Sequence, residues 1–185
     1  MDWKEALDIA INKKDWKSAT ELVRKTIAVS PNDVEAYIRG IYLLHDILLE
    51  QDYPQLEKER LWNLLRQYFN EANSKFASNA EYLFFVGKIL YIGEWFFGID
   101  DDLKPVYEKT AFKMQKKASD IEPQNALFEW AYRFSLGDEL APYLAQQILT
   151  CDDEKLKWLA SRRFPGEYIL DNLKYSAKMY VERHS

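Results

Sequence analysis

Apolar positions recur at three- and four-residue intervals almost from one end of the chain to the other. Ala6, Ile9 and Ala10 share one face, and Ala19, Leu22, Val23, Thr26 and Ile27 share another, as in a helix that buries a single stripe. No segment alternates strictly between apolar and polar residues with turn pairs such as Asn-Gly at its ends, so strands find no support. Helix-start signals stand at Asp2 with Glu5, at Asn32 with Glu35, and at Asp15, Asn79 and Asp138 ahead of periodic runs. Breakers fall between them at Pro31, Pro54, Pro105, Pro123 and Pro165-Gly166. The pattern predicts ten helices, near 2–12, 15–29, 33–50, 55–76, 80–97, 104–120, 124–136, 139–150, 153–163 and 167–183. Pro142 lies in the first turn of the eighth, where a missing amide is tolerated. The expected fold class is all-α.

A longer period overlies the helical one. Trp3, Ala19 and Pro31 stand at large, small and proline positions, Tyr37 follows Trp3 by 34 residues, and the run from Asp15-Trp16-Lys17-Ser18-Ala19 to Ser30-Pro31-Asn32-Asp33 has the form of a second helix. Over residues 1–40 the chain resembles a tetratricopeptide repeat. Looser echoes follow: Ala77-Ser78-Asn79-Ala80 with Gly87 aligns with Ser30–Asp33 and Gly40, and Ala111, Ala118, Pro123 and Asn125 with Ala19, Thr26, Pro31 and Asp33. The resemblance implies antiparallel helix pairs stacked as a short array over 1–137, with an irregular helical cap over 138–185, in one domain.

Composition narrows the function. The chain has 185 residues, 48% of them hydrophobic and 15% aromatic, with six Gly and six Pro, which fits neither a disordered nor a fibrous chain. With 25 basic and 30 acidic residues it carries a formal charge of −5, unsuited to general nucleic-acid binding. The most apolar stretch, Tyr82 to Ile99, holds Lys88 and Glu94, which argues against a membrane span. The amino terminus has no apolar run behind a basic flank, so no secretory signal is read and a cytoplasmic location is expected.

Candidate chemistry is sparse. Cys151, the single cysteine, precedes Asp152-Asp153-Glu154, carboxylates that would raise its thiol pKa. His45 sits in an apolar helix with no second ligand in register, and His184 is near the carboxyl end, where fraying is expected. Ser135 and Ser161 lack a nucleophile-elbow context, and no Gly-rich phosphate loop is present. Catalytic, cofactor and metal residues are therefore all expected to be absent. A calcium loop at Asp100-Asp101-Asp102 would need alternating ligands and a distal glutamate that the sequence lacks. A paired-carboxylate enzyme using Glu94 with Asp101 or Asp102 is the weakest of the readings.

Charge is uneven. Residues 93–154 carry a net −7, while 155–185 carry +4. The tight acidic clusters are Asp100, Asp101 and Asp102, and Asp152, Asp153 and Glu154. Trp95-Phe96-Phe97 fills adjacent helical positions, which cannot all face one core stripe. Trp95, Phe97 and the two acidic triplets are accordingly the expected partner-binding residues, with aromatic anchors and acids meeting a basic protein. In size, charge and helical character the chain resembles bacterial immunity proteins, including those of contact-dependent growth inhibition. That resemblance implies a non-enzymatic inhibitor of a basic, nuclease-type toxin domain, with no nucleic acid, membrane or small-molecule substrate as partner. The alternative is a tetratricopeptide-type adaptor or chaperone that clamps a peptide segment with Lys13, Lys17, Arg24 and Arg39.

Overall fold

A computed structural model describes residues 2–184, with side chains described for 2–182; the His184 side chain lies outside the described residues. The described chain is helical, without a strand: α1 (Trp3–Asn12), α2 (Trp16–Val29), α3 (Val34–Glu50), α4 (Gln55–Phe76), α5 (Ala80–Leu90), α6 (Thr110–Ile121), α7 (Ala126–Leu136), α8 (Ala141–Cys151), α9 (Asp153–Ser161) and α10 (Phe164–His184). Short 3₁₀ turns lie at Glu94–Phe97 and Val106–Glu108. Capping side chains set several of the starts. Asp15 accepts from the Ser18 amide, Asp33 from Glu35 and Ala36, Asn79 from Tyr82 and Asp152 from Lys155, each satisfying amides that the first helical turn leaves unpaired.

Three expected boundaries move, each for a local reason. The helix read over 80–97 stops at Leu90, because the chain turns at Gly93 against the α3 residue His45 and the Phe96 ring. A Cβ on Gly93 would stand 3.1 Å from His45 Nε2 and 2.7 Å from Phe96 Cδ2. The helix read from 104 begins at Thr110, whose amide is taken by the Asp101 carboxylate. The last helix begins at Phe164, ahead of the expected 167, with Pro165 in its first turn, where a proline needs no amide. Gly166 is required there, since a Cβ would meet the Leu159 carbonyl oxygen at 1.8 Å.

The chain gathers into two compact units, 1–77 with 93–100 and 78–92 with 101–185. In the first, α1 packs on α2, α2 on α3 and α3 on α4, and the Glu94–Phe97 turn rests on α4. Ala19 is fully buried on α2, and α2 comes so close to α3 that a Cβ on Gly40 would meet Val23 Cγ1 at 2.7 Å. In the second, α5, α6 and α7 pack in succession, α7 leads to α8, and α10 lies against both α8 and α9. Phe84, Phe85, Phe128 and Trp158 form its aromatic centre. No described helix is long and apolar enough to cross a membrane.

Candidate functional site

The expected partner-binding residues separate by burial. Trp95 is 59% exposed, standing in its 3₁₀ turn with the ring tilted against Phe96. Asp100 is exposed, as are Asp102, Asp153 and Glu154. Phe97 is a correction to the expectation: it is buried, edge-on to Phe69 at 5.3 Å and stacked on His45 at 6.1 Å. In a 3₁₀ turn successive residues diverge by about a third of a turn, so Trp95 faces out while Phe96 and Phe97 turn inward.

Asp101 is a second correction. It is buried, with Oδ1 on Lys104 Nζ and Oδ2 accepting from the Thr110 amide at 2.6 Å. Burial opposes its ionisation, but the hydrogen bonds from Lys104 and Thr110 outweigh that and hold the carboxyl down at about 2. Asp101 is a staple at the start of α6, with one oxygen on Lys104 and the other on the Thr110 amide. Asp152 is half-buried and caps α9, while Asp153 and Glu154 sit in that helix's first turn, where acids suit the macrodipole. Arg39, an expected peptide clamp, is buried and joined to Asp8 at 3.0 Å and to Glu35 at 2.9 Å. Lys13, Lys17 and Arg24 are exposed.

Two arrangements had no forecast. In the first unit a groove of about 490 Å³ runs between α2 and α4 over Tyr37 of α3, with Arg24, Ile27, Leu64, Tyr68 and Lys75 among its walls. Tyr37 donates to Glu71 Oε2 at 2.9 Å and accepts from Lys75 Nζ at 2.8 Å, and Lys75 also donates to the Pro31 carbonyl. The Tyr68 hydroxyl is buried with no hydrogen-bond partner, and burial pushes it up to about 12. Such a hydroxyl is costly unless something enters to meet it.

In the second unit Lys88 of α5 is 1% exposed. Its amine donates to Ser135 Oγ at 3.1 Å, Ser135 donates to Gln115 Oε1 at 2.9 Å, and Gln115 Nε2 donates to the Gly87 carbonyl at 3.1 Å. Phe134, Trp130 and Tyr91 enclose the nitrogen, with ring centroids 4.7, 5.6 and 5.8 Å away. Burial pulls the amine down to about 7. His45, in the first unit, shows the same effect: 1% exposed, its Nε2 unpartnered, it is held neutral down to about 4 by burial. Among the described residues no group of three or more His, Cys, Asp or Glu side chains is placed to hold a metal ion.

Little in the sequence points to Tyr68, because a tyrosine at helical spacing reads as core. Lys88 carried a signal, a single cation inside the apolar run Leu83–Leu90; its hydrogen-bond partner Ser135 lies 47 residues away and is invisible to a local pattern. Compared with protein-family models, curated proteins and solved structures, the chain matches none.

Proposed function

We propose that the chain is a non-enzymatic protein-binding module, and within that class a cytoplasmic immunity protein that neutralises a basic toxin domain. The observation that carries the reading is the exposed Trp95 ring with exposed Asp100 five residues on, in the same compact unit. A large ring held on a short turn loses little side-chain entropy on docking and anchors an interface, while adjacent carboxylates steer a basic partner toward it. The second unit has exposed acids of its own in Asp102, Asp153 and Glu154. The acid excess of residues 93–154, −7, favours this reading over a clamp for acidic peptides.

Co-expression is the test. A toxin domain encoded beside this chain should arrest growth when produced alone and be silent when produced with it. Trp95→Ala combined with Asp100→Lys should restore arrest while the variant accumulates normally. Arrest that persists with the wild-type chain would end the proposal. So would protection left intact by the double variant together with Asp153→Lys and Glu154→Lys.

A further inference from the structure

Hydrogen-bond capacity around the groove of the first unit is lopsided. Arg24 sends Nε and Nη2 to Glu21, and its Nη1 meets no described partner. Lys75 has three hydrogens and two acceptors, the Pro31 carbonyl and the Tyr37 hydroxyl. Tyr68, 4% exposed, has a hydroxyl with none. The local carboxylate is already used, since Glu71 accepts from Gln67 at one oxygen and from Tyr37 at the other. Unspent donors therefore ring the groove and its one carboxylate is engaged on both oxygens, while Ile27, Ala28, Pro31 and Leu64 give it apolar walls. Arg24, Tyr68, Glu71 and Lys75 all line this one groove, so these groups converge on one space.

We propose that this groove is a binding site for a monoanionic carboxylate on a short apolar stem. The oxygens would take hydrogen bonds from Tyr68, Arg24 and Lys75, and the stem would lie on Ile27 and Leu64. A volume of about 490 Å³ falls within the range of small-ligand sites, about 300–1,000 Å³. Single negative charge is the better match, because a dianion would face Glu71 and Glu21 as well as the two cations. The chemistry has two sources, the carboxyl-terminal residue of a polypeptide and a free short-chain acid. Neither Trp95 nor the acidic triplets line this groove, so the site stands apart from the recognition surface proposed above.

The test is an amide-resonance titration of the isotope-labelled full chain with three probes: acetyl-Ala-Ala-Leu with a free carboxylate, the same peptide amidated, and hexanoate. The free acid peptide should give saturable shifts concentrated on α2 and α4, with the amidated form about tenfold weaker, the factor expected for losing a charge-assisted hydrogen bond. Hexanoate binding as tightly as the peptide would assign the source as a free acid, and weaker hexanoate would assign it as a chain terminus; both keep the site. No saturable shift with either acid by about 10 mM, or equal affinity for the amide, would overturn it. Tyr68→Phe should weaken the acid about tenfold and leave the melting temperature unchanged or higher. Retained affinity, or a lowered melting temperature, would mean that the hydroxyl has work inside the fold and no ligand outside it. Arg24→Gln, at an exposed position, should show the same loss of affinity with folding untouched, and undiminished binding there would equally count against the site.

Discussion

Among the described residues each compact unit buries one lysine or arginine, Arg39 in the first and Lys88 in the second, and the two are accommodated in opposite ways. Arg39 in the first is 3% exposed and stands between Asp8 and Glu35, with its guanidinium over the Trp3 ring at 5.7 Å. Glu35 is held a second time by Lys4 at 2.6 Å. Lys88 in the second unit is 1% exposed and meets a serine and three aromatic rings. Arginine stays charged at any ordinary pH and must bring its counter-ions inside. A lysine can shed its proton, so desolvation is relieved by neutralisation and no carboxylate is needed. The first solution fixes helix register through paired charges, whereas the second makes one core sensitive to pH.

The difference is broken most forcefully at Arg39. Arg39→Met leaves Glu35 nearly buried beside Asp8 with one of its cations gone. Removing one partner of a buried pair costs about 3–5 kcal/mol, which should appear as a large fall in denaturant midpoint. A loss under about 1 kcal/mol, the range of an exposed pair, would show that water already screens the network.

Lys88→Met should move stability the other way at neutral pH, by about 1–4 kcal/mol, since a well-packed apolar isostere removes the desolvation cost. The wild-type amine titrates near 7 when folded, and an unfolded lysine keeps its proton to about 10.4. Between those values the unfolded chain binds more protons, so wild-type stability rises with pH, by at most about 1.4 kcal/mol per pH unit, and is flat below 7 on this account. His45, at about 4, and Asp46, raised by burial to about 6, titrate below that window. Tyr68 and Tyr82, both raised by burial, reverse the slope only above about 10. Chemical unfolding at pH 7, 8 and 9 should show the rise in the wild type and none in Lys88→Met. Parallel curves for the two proteins would mean that the amine stays charged inside, stabilised by the rings.

The two cations also differ in how far the sequence announces them. Glu35 and Arg39 stand four apart on a helix, and that half of the network is legible as an i,i+4 pair. Asp8, 31 residues away, is not. Helix type was legible throughout, and α4 has the expected ends, because Pro54 fixes its start and its apolar stripe persists to Phe76. The segment from Leu90 to Thr110 was not, since its path depends on His45 and on the Asp101 staple, contacts that no local period encodes. The sequence marks Trp95 and Phe97 as rings that cannot share one core stripe, but which of them turns inward depends on Phe69 and His45, which lie 28 and 52 residues before Phe97 and meet it only through the fold. Tyr68 was missed because a buried hydroxyl leaves no mark on apolar periodicity, whereas Lys88 stood out as a cation in an apolar run and only its distant partners were hidden.

The smallest effect concerns the serine that separates the two solutions. Ser135 Oγ accepts from Lys88 and donates to Gln115, so Ser135→Ala strands an amine and an amide oxygen together. Gln115 keeps its bond to the Gly87 carbonyl, and the glutamine therefore has little freedom to turn and find a substitute. Stranding a buried group costs about 1–3 kcal/mol, and at this site the cost should fall near the lower end, because the neutral amine can still rest on the Phe134 face. In the Lys88→Met background the same serine substitution strands only the amide oxygen and should cost less. A double-mutant cycle at pH 9, where the folded amine is neutral, should then give a coupling of about 0.5–1 kcal/mol. Zero coupling would place Lys88 among its rings alone, with Ser135 serving Gln115. A coupling above about 3 kcal/mol would mean that the hydrogen bond is carried by a charged ammonium, and the contrast with Arg39 would then lie in the partner and no longer in the protonation state.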